Sequence, residues 1–388
     1  MKIGICGPVY LPMLTKYLDP RKEIPVKGMG GSPVNHQIVA LLEKGHEVVV
    51  YSLTPEIGES ERIFLQGDRI KIYIGPYRKK GSQRCKDLFM KERRFLKTSM
   101  LDSKPDIIHA HWQYEWGWAA LDSGIPTLLT CHDAPFQVLK VQRDWYRLAR
   151  LLMAGICLHK AKHLTAVSPY TAKGLRFFTK QNVSIIPNFE PDSVFSMMKN
   201  RKTINGKINI TMINNGFHQR KNVAVGVKAF DKFSMKYPNA ELHLFGMGNG
   251  LHEDADLWCE ENNISGNIYF HGEVPFDQLM DSLSKADIFL HTSLEESCPM
   301  VLIEAMAMGI PVVAGEKAGG IPWMLENGGG ELVDINDPHL VSDALEKLAE
   351  PEVYERLSEE AREIALNRFS KEVVVGKYLE AYKQVLQS

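Results

Sequence analysis

Short apolar runs alternate along the chain with longer stretches in which apolar and polar residues mix at helical spacing. In the first half we predict strands at residues 3–6, 47–51, 70–74, 107–110, 127–131, 164–167 and 183–186. Amphipathic stretches at residues 32–44, 144–161 and 169–179 separate several of these runs. Continuous Val, Ile and Leu runs are typical of strands that helices cover on both faces. The pattern therefore predicts an α/β domain with a mainly parallel sheet.

The pattern breaks at residues 188–206, where Pro191 and a cluster of Lys, Arg and Asn predict a linker. It then restarts, with strands at 208–213, 242–245, 267–270, 288–291, 311–314 and 331–333, a helix at 223–236, and at least three helical pieces from Pro338 onward. We therefore expect two doubly wound domains with a cleft between them. The expected domains are residues 1–190 and 191–368, and a C-terminal helix at 369–388 is expected to pack back toward the first.

Composition narrows the class of protein. The chain has 388 residues, with 46 Lys and Arg against 47 Asp and Glu, and so a formal net charge of -1. It lacks the large positive excess of dedicated nucleic-acid binders. Its six cysteines form no Cys-x-x-Cys pair, so we expect neither a disulfide framework nor a thiolate zinc site. No apolar run approaches the about 18 residues of a membrane span and no signal peptide is recognisable, so we expect a cytoplasmic protein.

Ligands of doubly wound folds bind on the loops that follow the carboxyl ends of strands. Gly30 and Gly31 lie just before the first amphipathic stretch, where backbone N–H groups can approach an anion; a flexible turn is the alternative. His132 follows the strand at 127–131 and can donate a hydrogen bond to a ligand or transfer a proton, unless it caps the strand by bonding to backbone. His109 and His111 fit a polar wall of the cleft better than a metal pair.

Two later loops carry charges. Arg220 and Lys221 lie at the start of a predicted helix, where cations oppose the helix dipole; a bound anion would offset that cost, and a solvated loop is the alternative. Glu296 lies in the loop before a helix predicted to begin near Pro299 and to end at Gly309, and Glu304 lies on its second turn. Because Glu304 is set in a strongly apolar segment, its carboxylate needs partners, so we predict two glutamates that grip polyol portions of one ligand.

At residues 296–311 the sequence ESCPMVLIEAMAMGIP resembles the Glu-x7-Glu signature of the retaining family 4 glycosyltransferases, which have the GT-B fold. Further motifs similar to those of the family follow in the expected order over nearly the whole chain: GGSPVNHQIVALLEKGHEVVVYS, PDIIHAHW, TCHD, VSP, IIPN, LFGMGNG and HGEVP. The resemblance implies two Rossmann-like domains that face each other across a cleft, with an acceptor on residues 1–190 and a nucleotide sugar mainly on residues 191–368.

The resemblance also implies roles for single residues. It implies that Glu304 holds the ribose hydroxyls, that Glu296 contacts the donor sugar, that Lys221 neutralises the diphosphate and that His132 lies near the reacting sugar. The other donor-binding residues that it implies are Gly30 and Gly31 at the diphosphate, Gly272, Glu273 and Val274 around the base, and Ser297, Cys298, Pro299, Met300 and Val301 near the sugar or diphosphate.

The chain departs from the family pattern at three positions. Asn215 stands where the family usually has an arginine six residues before its lysine, Phe189 follows Asn188 in place of a glycine, and Trp323 replaces a frequent glutamate. Asn215 can donate a hydrogen bond to the diphosphate but carries no charge. We therefore predict that Arg220 supplies the second positive charge.

The function that these features imply is transfer of a hexose, with retention, from a nucleotide diphosphate sugar to a hydroxyl acceptor, in polysaccharide biosynthesis. We rank UDP-sugars first and expect a growing glycan or a lipid-linked saccharide as acceptor. We expect no metal or other cofactor, because cations and helix N-termini can stabilise the leaving group. The alternatives are a nucleotide-sugar epimerase of GT-B architecture and a non-catalytic nucleotide- or carbohydrate-binding subunit.

A basic segment lies in the first domain. Residues 78–97 hold nine Lys and Arg, interleaved with Leu88, Phe89, Phe95 and Leu96. Such a segment can lie on an anionic membrane, while a solvated helix or an acidic acceptor site is the alternative. We therefore predict peripheral contact with the inner face of the plasma membrane.

Overall fold

The computed structural model describes residues 1–21, 23–141, 143–198 and 206–388. The chain forms two compact units. Unit 1 comprises Met1–Pro187 and Glu372–Ser388, and unit 2 comprises Asn188–Lys371.

Unit 1 is built on one sheet. Its elements are β1 (Lys2–Cys6), α1 (Ser32–Glu43), β2 (Glu47–Thr54), β3 (Ile63–Gln66), β4 (Ile70–Pro76), α2 (Gly81–Lys86), α3 (Met90–Ser103), β5 (Ile107–His111), α4 (Glu115–Asp122), β6 (Thr127–Cys131), α5 (Pro135–Val141), α6 (Trp145–Lys160), β7 (His163–Ala166), α7 (Pro169–Leu175) and β8 (Val183–Ile185). The strand order is β3-β4-β2-β1-β5-β6-β7-β8. Every neighbouring pair is parallel except β3 and β4, so the predicted parallel sheet has one antiparallel edge strand that the sequence did not reveal.

Unit 2 holds a smaller sheet. Its elements are α8 (Asp192–Phe195), β9 (Asn209–Ile213), α9 (Val223–Lys236), β10 (Glu241–Phe245), α10 (Asp254–Glu261), β11 (Ile268–Gly272), α11 (Phe276–Leu283), β12 (Ile288–His291), α12 (Met300–Ala307), β13 (Val312–Gly315), α13 (Ile321–Met324), β14 (Gly330–Val333), α14 (Pro338–Leu348) and α15 (Pro351–Phe369). The order is β11-β10-β9-β12-β13-β14, and all pairs are parallel. The predicted α/β class is confirmed.

The C-terminus is helical in three pieces, as predicted: α14, α15 and α16 (Lys371–Gln387). The last helix belongs almost wholly to unit 1. Its Tyr382 hydroxyl accepts a hydrogen bond from Gln37 at 3.1 Å and lies 2.8 Å from His109 Nδ1. The end of the chain thus completes the core of unit 1.

The predicted linker at residues 188–206 is wrong at its beginning. Asn188 and Glu190 are buried, and Asn188 donates a side-chain hydrogen bond to the Cys298 carbonyl at 2.8 Å. Phe189, the residue in place of a glycine, is buried as well, and α8 follows directly. Residues 199–205 of the predicted linker lie outside the described residues.

The parallel order of each sheet brings its candidate residues to one edge. In unit 1, His132 follows β6 beside the loop after β5. In unit 2, the loop after β9 lies next to the loop after β12, because β9 and β12 are neighbours. Since the carboxyl ends of parallel strands share an edge, residues 214–222 and 292–299 meet there.

Candidate functional site

A cluster of opposite charges lies at the carboxyl edge of the unit 2 sheet. Lys221 Nζ donates to Glu296 Oε1 at 2.6 Å. Arg220 Nη1 donates to the Glu295 carbonyl at 3.1 Å and lies 3.9 Å from Glu296 Oε1. Two backbone-directed bonds join the same loops, from Leu294 N to the Arg220 carbonyl and from the Thr292 hydroxyl to the Lys221 carbonyl. Arg220 and Lys221 therefore lie together beside Glu296, and their predicted contact with a diphosphate stays a prediction.

Glu296 is ionised in this cluster. Burial raises the pKa of its carboxyl, but the charges of Lys221 and Arg220 and the hydrogen bond from Lys221 outweigh it, so the pKa lies below its usual value. Glu295, whose Oε2 lies 3.7 Å from Arg220 Nη1, and the half-buried Glu296 together balance the charges of the two cations. A bound anion would compete with Glu296 for the same cations.

The backbone of Glu296 is held by a glycine turn. Its carbonyl accepts a hydrogen bond from Gly320 N at 2.7 Å. A Cβ at Gly319 would lie 2.2 Å from that carbonyl oxygen, and Gly319 has a φ of +66°. Both facts require glycine, so this turn fixes where the carboxylate of Glu296 emerges.

Glu304 lies on α12 and is only 4% exposed. Its Oε2 is buried and accepts no hydrogen bond from any residue that the structure describes. Burial raises the pKa of the carboxyl to about 8, and its charge in turn raises the pKa of the buried Glu190. A buried acceptor without a donor is costly, so this group fits a ligand that brings hydroxyl donors.

Sequence reasoning missed His291, the last residue of β12. Its side chain is buried, and neither ring nitrogen bonds to any described residue. Burial lowers its pKa to about 4, so the ring is neutral near pH 7. The neighbouring Asn214 shows the same feature, since its buried Nδ2 has no acceptor in the described chain. The sequence did hold a signal for these two residues. Like His132, His291 and Asn214 are polar residues at the end of a predicted strand.

The other predicted residues of unit 2 lie around this cluster without bonding to it. Asn215 and Glu273 are exposed, and the described residues include no hydrogen bond or ion pair from either to Glu296. Gly272 ends β11, and Val274 follows it half-buried. The remaining candidates form the loop and the first turn of α12: Ser297, Cys298, Pro299, Met300 and Val301. The helix begins at Met300, one residue later than predicted, because Pro299 is its extended N-cap.

Trp323 takes a structural place where the family often has a glutamate. The guanidinium of Arg368 lies 4.4 Å from the centre of its ring, and Phe369 meets the ring edge-on at 6.1 Å. This stacking explains an aromatic residue at that position without a ligand.

In unit 1, three histidines lie side by side where β5 and β6 end. His111 Nδ1 is 2.9 Å from His132 Nε2, and His109 Nε2 is 2.7 Å from the Thr130 hydroxyl. Burial lowers the pKa of His109 and His132 to about 3, and it lowers the pKa of His111 well below its usual value. All three rings are therefore neutral near pH 7. His132 therefore pairs with the side chain of His111, whereas the alternative interpretation expected it to cap the strand by bonding to backbone.

Gly30 and Gly31 form the turn into α1. Gly31 is the N-cap residue with a φ of +106°, and a Cβ there would lie 2.3 Å from the Pro8 carbonyl oxygen. A glycine is thus required for the turn itself. The predicted contact with a diphosphate stays a prediction.

A cavity of about 370 Å³ lies next to His132 in unit 1. Its walls include Tyr77, Trp112, Tyr114, Asp133, Tyr146 and Arg150. Trp112 stacks on His132 with 4.2 Å between ring centres, so the cavity reaches the histidine cluster. Sequence reasoning missed this cavity because its walls come from six separate segments.

Polar groups of the cavity are partly unused. Arg150 Nη1 donates to Glu115 Oε2 at 3.3 Å and to the Tyr146 hydroxyl at 3.2 Å, and the guanidinium lies 3.7 Å from the Tyr114 ring centre. Its Nε and Nη2 donate to no described residue. Asp133 Oδ1 accepts from Tyr114 at 2.7 Å, whereas Oδ2 accepts from none of the described groups. The cavity therefore offers a ligand both donors and an acceptor between aromatic walls.

The basic segment at residues 78–97 does not present its apolar side chains to solvent. Phe89 and Leu96 are fully buried, and Leu88 and Phe95 pack against the same core. Arg78 is buried as well, 2.6 Å from Glu92 Oε2 and 2.7 Å from Asp87 Oδ1. The four apolar side chains that were expected to face a membrane therefore pack against the core, and the membrane contact of this segment stays a prediction. Over the described ranges, no helix has the length and hydropathy needed to cross a membrane.

Comparison with known proteins identifies both parts of the chain. Residues 34–189 match the family model Glycosyltransferase Family 4, and residues 196–364 match the model Glycosyl transferases group 1. Each part of the chain is therefore similar to a glycosyltransferase domain. The charge cluster with Glu296 and the buried Glu304 lie in the part that matches the group 1 model, and the histidine cluster lies in the part that matches the family 4 model.

Curated relatives include several glycosyltransferases. N-acetyl-alpha-D-glucosaminyl L-malate synthase of Bacillus anthracis is 28% identical over 301 residues, which cover 73% of this chain and 75% of that protein. The lipopolysaccharide core biosynthesis glycosyltransferase LpsE of Rhizobium meliloti is 31% identical over 151 residues, or 37% of this chain and 42% of that protein.

Solved structures share the fold over the full length. Sucrose-phosphate synthase from Thermosynechococcus elongatus has a TM-score of 0.77 at 19% identity, covering 100% of this chain and 99% of that one. The Anabaena protein HepE, in complex with UDP and glucose, has a TM-score of 0.69 at 16% identity and 99% coverage of both chains. These likenesses establish the GT-B fold of the chain.

Proposed function

We propose that the chain is a retaining glycosyltransferase that moves a sugar from a nucleotide diphosphate sugar to a hydroxyl group of an acceptor. The observation that carries the proposal is the cluster of Lys221, Arg220 and Glu296 at the sheet edge of unit 2, on the same loop-and-helix segment as the unpartnered carboxyl of Glu304. Two cations suit a diphosphate, and two carboxyls suit the hydroxyls of a ribose and a sugar.

The donor binds by exchange of partners. Lys221 and Arg220 turn from Glu296 to the diphosphate, which carries more charge than one carboxylate. Glu296, released from its ion pair, then accepts hydrogen bonds from the donor sugar. Glu304 accepts from the ribose hydroxyls, which satisfy the buried oxygen that has no protein donor.

In the transfer, the bond between the anomeric carbon and the diphosphate oxygen breaks, and the leaving oxygen takes the electron pair. The acceptor oxygen bonds to the anomeric carbon on the same face, and its proton passes to a diphosphate oxygen. Lys221 and Arg220 stabilise the charge that grows on the leaving group, which is the main contribution a protein makes to such a step. The proposal uses no metal, so activity should survive an excess of a chelator.

A UDP-sugar is the donor we rank first. The support is structural similarity to HepE, which was solved with UDP and glucose. The choice of sugar depends on hydroxyl contacts from loops, so the donor must be found by screening.

The acceptor, in this proposal, binds in the cavity of unit 1. Aromatic walls suit the apolar faces of a sugar ring, and the free groups of Arg150 and Asp133 suit its hydroxyls. A growing glycan or a lipid-linked saccharide offers both. Tyr146→Ala should raise the KM for the acceptor at least fivefold with little change in the KM for the donor, and Tyr237→Ala in unit 2 is the matched control.

The direct test is release of nucleoside diphosphate from a panel of nucleotide sugars, with and without candidate acceptors, followed by NMR of the anomeric centre in the product. We expect acceptor-dependent release and an unchanged anomeric configuration. Conversion of the donor without an acceptor would favour the epimerase alternative. Binding without release across the panel would favour a non-catalytic subunit, and an inverted product would contradict retention.

A further inference from the structure

The outer face of α5, α6 and the segment after α7 in unit 1 exposes large apolar side chains. Trp145 is 84% exposed, Phe177 93% and Leu152 58%. Leu148, Ile156 and Phe136 are exposed as well. Scattered exposed apolar residues are ordinary, but side chains of this size gathered on one face mark an interaction surface.

These side chains form one continuous face. On α6, residues 145, 148, 152 and 156 follow one another at intervals of three and four, which places them in a single stripe along the helix. Phe177 stacks on Phe136 of α5, with ring centres 6.2 Å apart and planes 5° from parallel. A Cβ at Gly155 of α6 would lie 3.6 Å from the ring of Phe178, so the segment after α7 lies against α6.

The same part of the chain is strongly basic. Residues 134–182 hold nine Lys and Arg and one acidic residue, Asp144. Three of the nine cations pair with carboxylates: Arg147 with Asp144, Arg150 with Glu115 and Lys160 with Asp122. Exposed cations of this part include Lys140, Arg143, Lys173, Arg176 and Lys180. An apolar stripe bordered by cations is complementary to a surface with an apolar interior and negative head groups.

We infer that this face docks on an anionic lipid bilayer, with Trp145 and Phe177 inserted at the level of the head groups and the surrounding cations on the lipid phosphates. Tryptophan and phenylalanine suit this interface because they bring a large apolar area, and the indole N–H of tryptophan stays near water. Each well-placed cation adds attraction that decays within about a Debye length.

A second copy of the chain is the less favoured occupant. A symmetric dimer through this face would bring the exposed cations of two copies together, and like charges at that distance oppose association. The basic segment at residues 78–97 is also less suited, because its apolar side chains are directed into the core.

The experiment is flotation of the full-length chain with vesicles of phosphatidylcholine and phosphatidylglycerol in equal parts, and with vesicles of phosphatidylcholine alone. We expect binding to the anionic vesicles that weakens as salt rises, and at least tenfold weaker binding to the neutral ones. Trp145→Ala/Phe177→Ala should weaken binding to anionic vesicles at least tenfold. Its control is Met235→Ala/Leu251→Ala, two exposed apolar residues of unit 2, which should bind like the wild type.

A charge-matched pair of variants compares the two basic surfaces. Arg143→Glu/Arg176→Glu should abolish binding, whereas Lys79→Glu/Lys80→Glu, with the same change in charge, should leave most of it. All four positions are exposed, so the thermal unfolding temperature should show that each variant folds. The emission of Trp145 should shift to the blue on vesicle binding, and Trp145→Phe should remove most of that shift.

Three results would overturn the proposal. One is the absence of binding to anionic vesicles at low salt. Another is equal binding by Trp145→Ala/Phe177→Ala and by its control. The third is sedimentation of the lipid-free protein as a dimer that Trp145→Ala/Phe177→Ala dissociates, which would assign the face to a second copy.

Discussion

The candidate groups of the two units differ in charge: the cluster around Glu296 in unit 2 is charged, whereas the histidines of unit 1 are neutral. In unit 2, the ionised carboxyl of Glu296 lies 2.6 Å from Lys221 Nζ, with Arg220 close by. In unit 1, His111 and His132 lie 2.9 Å apart and are both neutral, beside a cavity with aromatic walls. The difference suits a division of labour in which unit 2 stabilises a leaving anion and unit 1 orients uncharged hydroxyls.

The largest effect should come from removing a cation of unit 2. Lys221→Ala should lower kcat by roughly 10²–10³-fold, because the growing charge on the diphosphate loses its nearest cation. Arg220→Ala should lower kcat by roughly 10²-fold, and the double variant should lose less than the product of both, since the two act on one anion. Steady-state rates of nucleoside diphosphate release test this, with Lys317→Ala as an exposed control in the same unit.

Asn215 sharpens this prediction. If Arg220 replaces the missing charge, then Asn215→Arg should restore part of the activity that Arg220→Ala loses, because Asn215 is exposed and has room for a longer side chain. Full activity of Arg220→Ala beside an inactive Lys221→Ala would mean that one cation suffices. Wild-type rates in both would remove the loop from the phosphate site.

The two glutamates of unit 2 should separate binding from turnover. Glu304→Ala should weaken nucleoside diphosphate affinity at least tenfold, because hydrogen bonds from two ribose hydroxyls, each worth about 0.5–1.5 kcal/mol, are lost. Glu296→Ala should lower turnover more than affinity, because its partner is the sugar. Calorimetric affinities and initial rates for both variants test the ranking, and the opposite ranking would exchange their roles.

A smaller effect is expected in unit 1. His132→Ala should slow transfer by roughly tenfold at saturating donor and acceptor, because the ring that orients the reacting groups is lost. Since burial holds the pKa of His132 to about 3, the rate should show no titration of this histidine between pH 5 and 9. Rates measured over that range test both statements, and near-normal turnover of the variant would make His132 a packing residue.

The smallest effect concerns stability. Because burial raises the pKa of Glu304 to about 8, the folded state holds its proton between about pH 4.3 and 8, where the unfolded state releases it. The contribution of Glu304 to the free energy of unfolding is therefore largest at low pH and is lost as the pH rises through that window. Glu304→Gln cannot ionise, so its unfolding temperature should gain a few °C over the wild type between pH 5 and 9. A constant difference across that range would mean that Glu304 is ionised in the folded chain.

The sequence predicted some elements closely and missed others for physical reasons. The helix α9 has the predicted bounds because its apolar residues follow a regular helical spacing. The edge strand β3 was missed because four residues at a sheet edge are too few to show a pattern. Residues 188–190 were taken for a linker because polar composition does not reveal that a segment is buried against a neighbouring loop.

The sequence predicts those parts of the candidate site whose functional groups are adjacent along the chain. Arg220 and Lys221 are neighbours in sequence, but their partner Glu296 lies 75 residues beyond Lys221, and family resemblance was needed to connect them. The unpartnered ring of His291 and the cavity of unit 1 depend on packing between distant segments. Such features cannot be deduced from spacing along one chain.

The central claim is that the charged groups of unit 2, and not the neutral histidines of unit 1, hold the nucleotide. The most direct measurement is calorimetric titration of UDP into Lys221→Ala and His132→Ala, with the wild type as reference. The account predicts that Lys221→Ala loses at least tenfold in affinity while His132→Ala binds UDP like the wild type. Unchanged affinity in Lys221→Ala together with a tenfold loss in His132→Ala would contradict it.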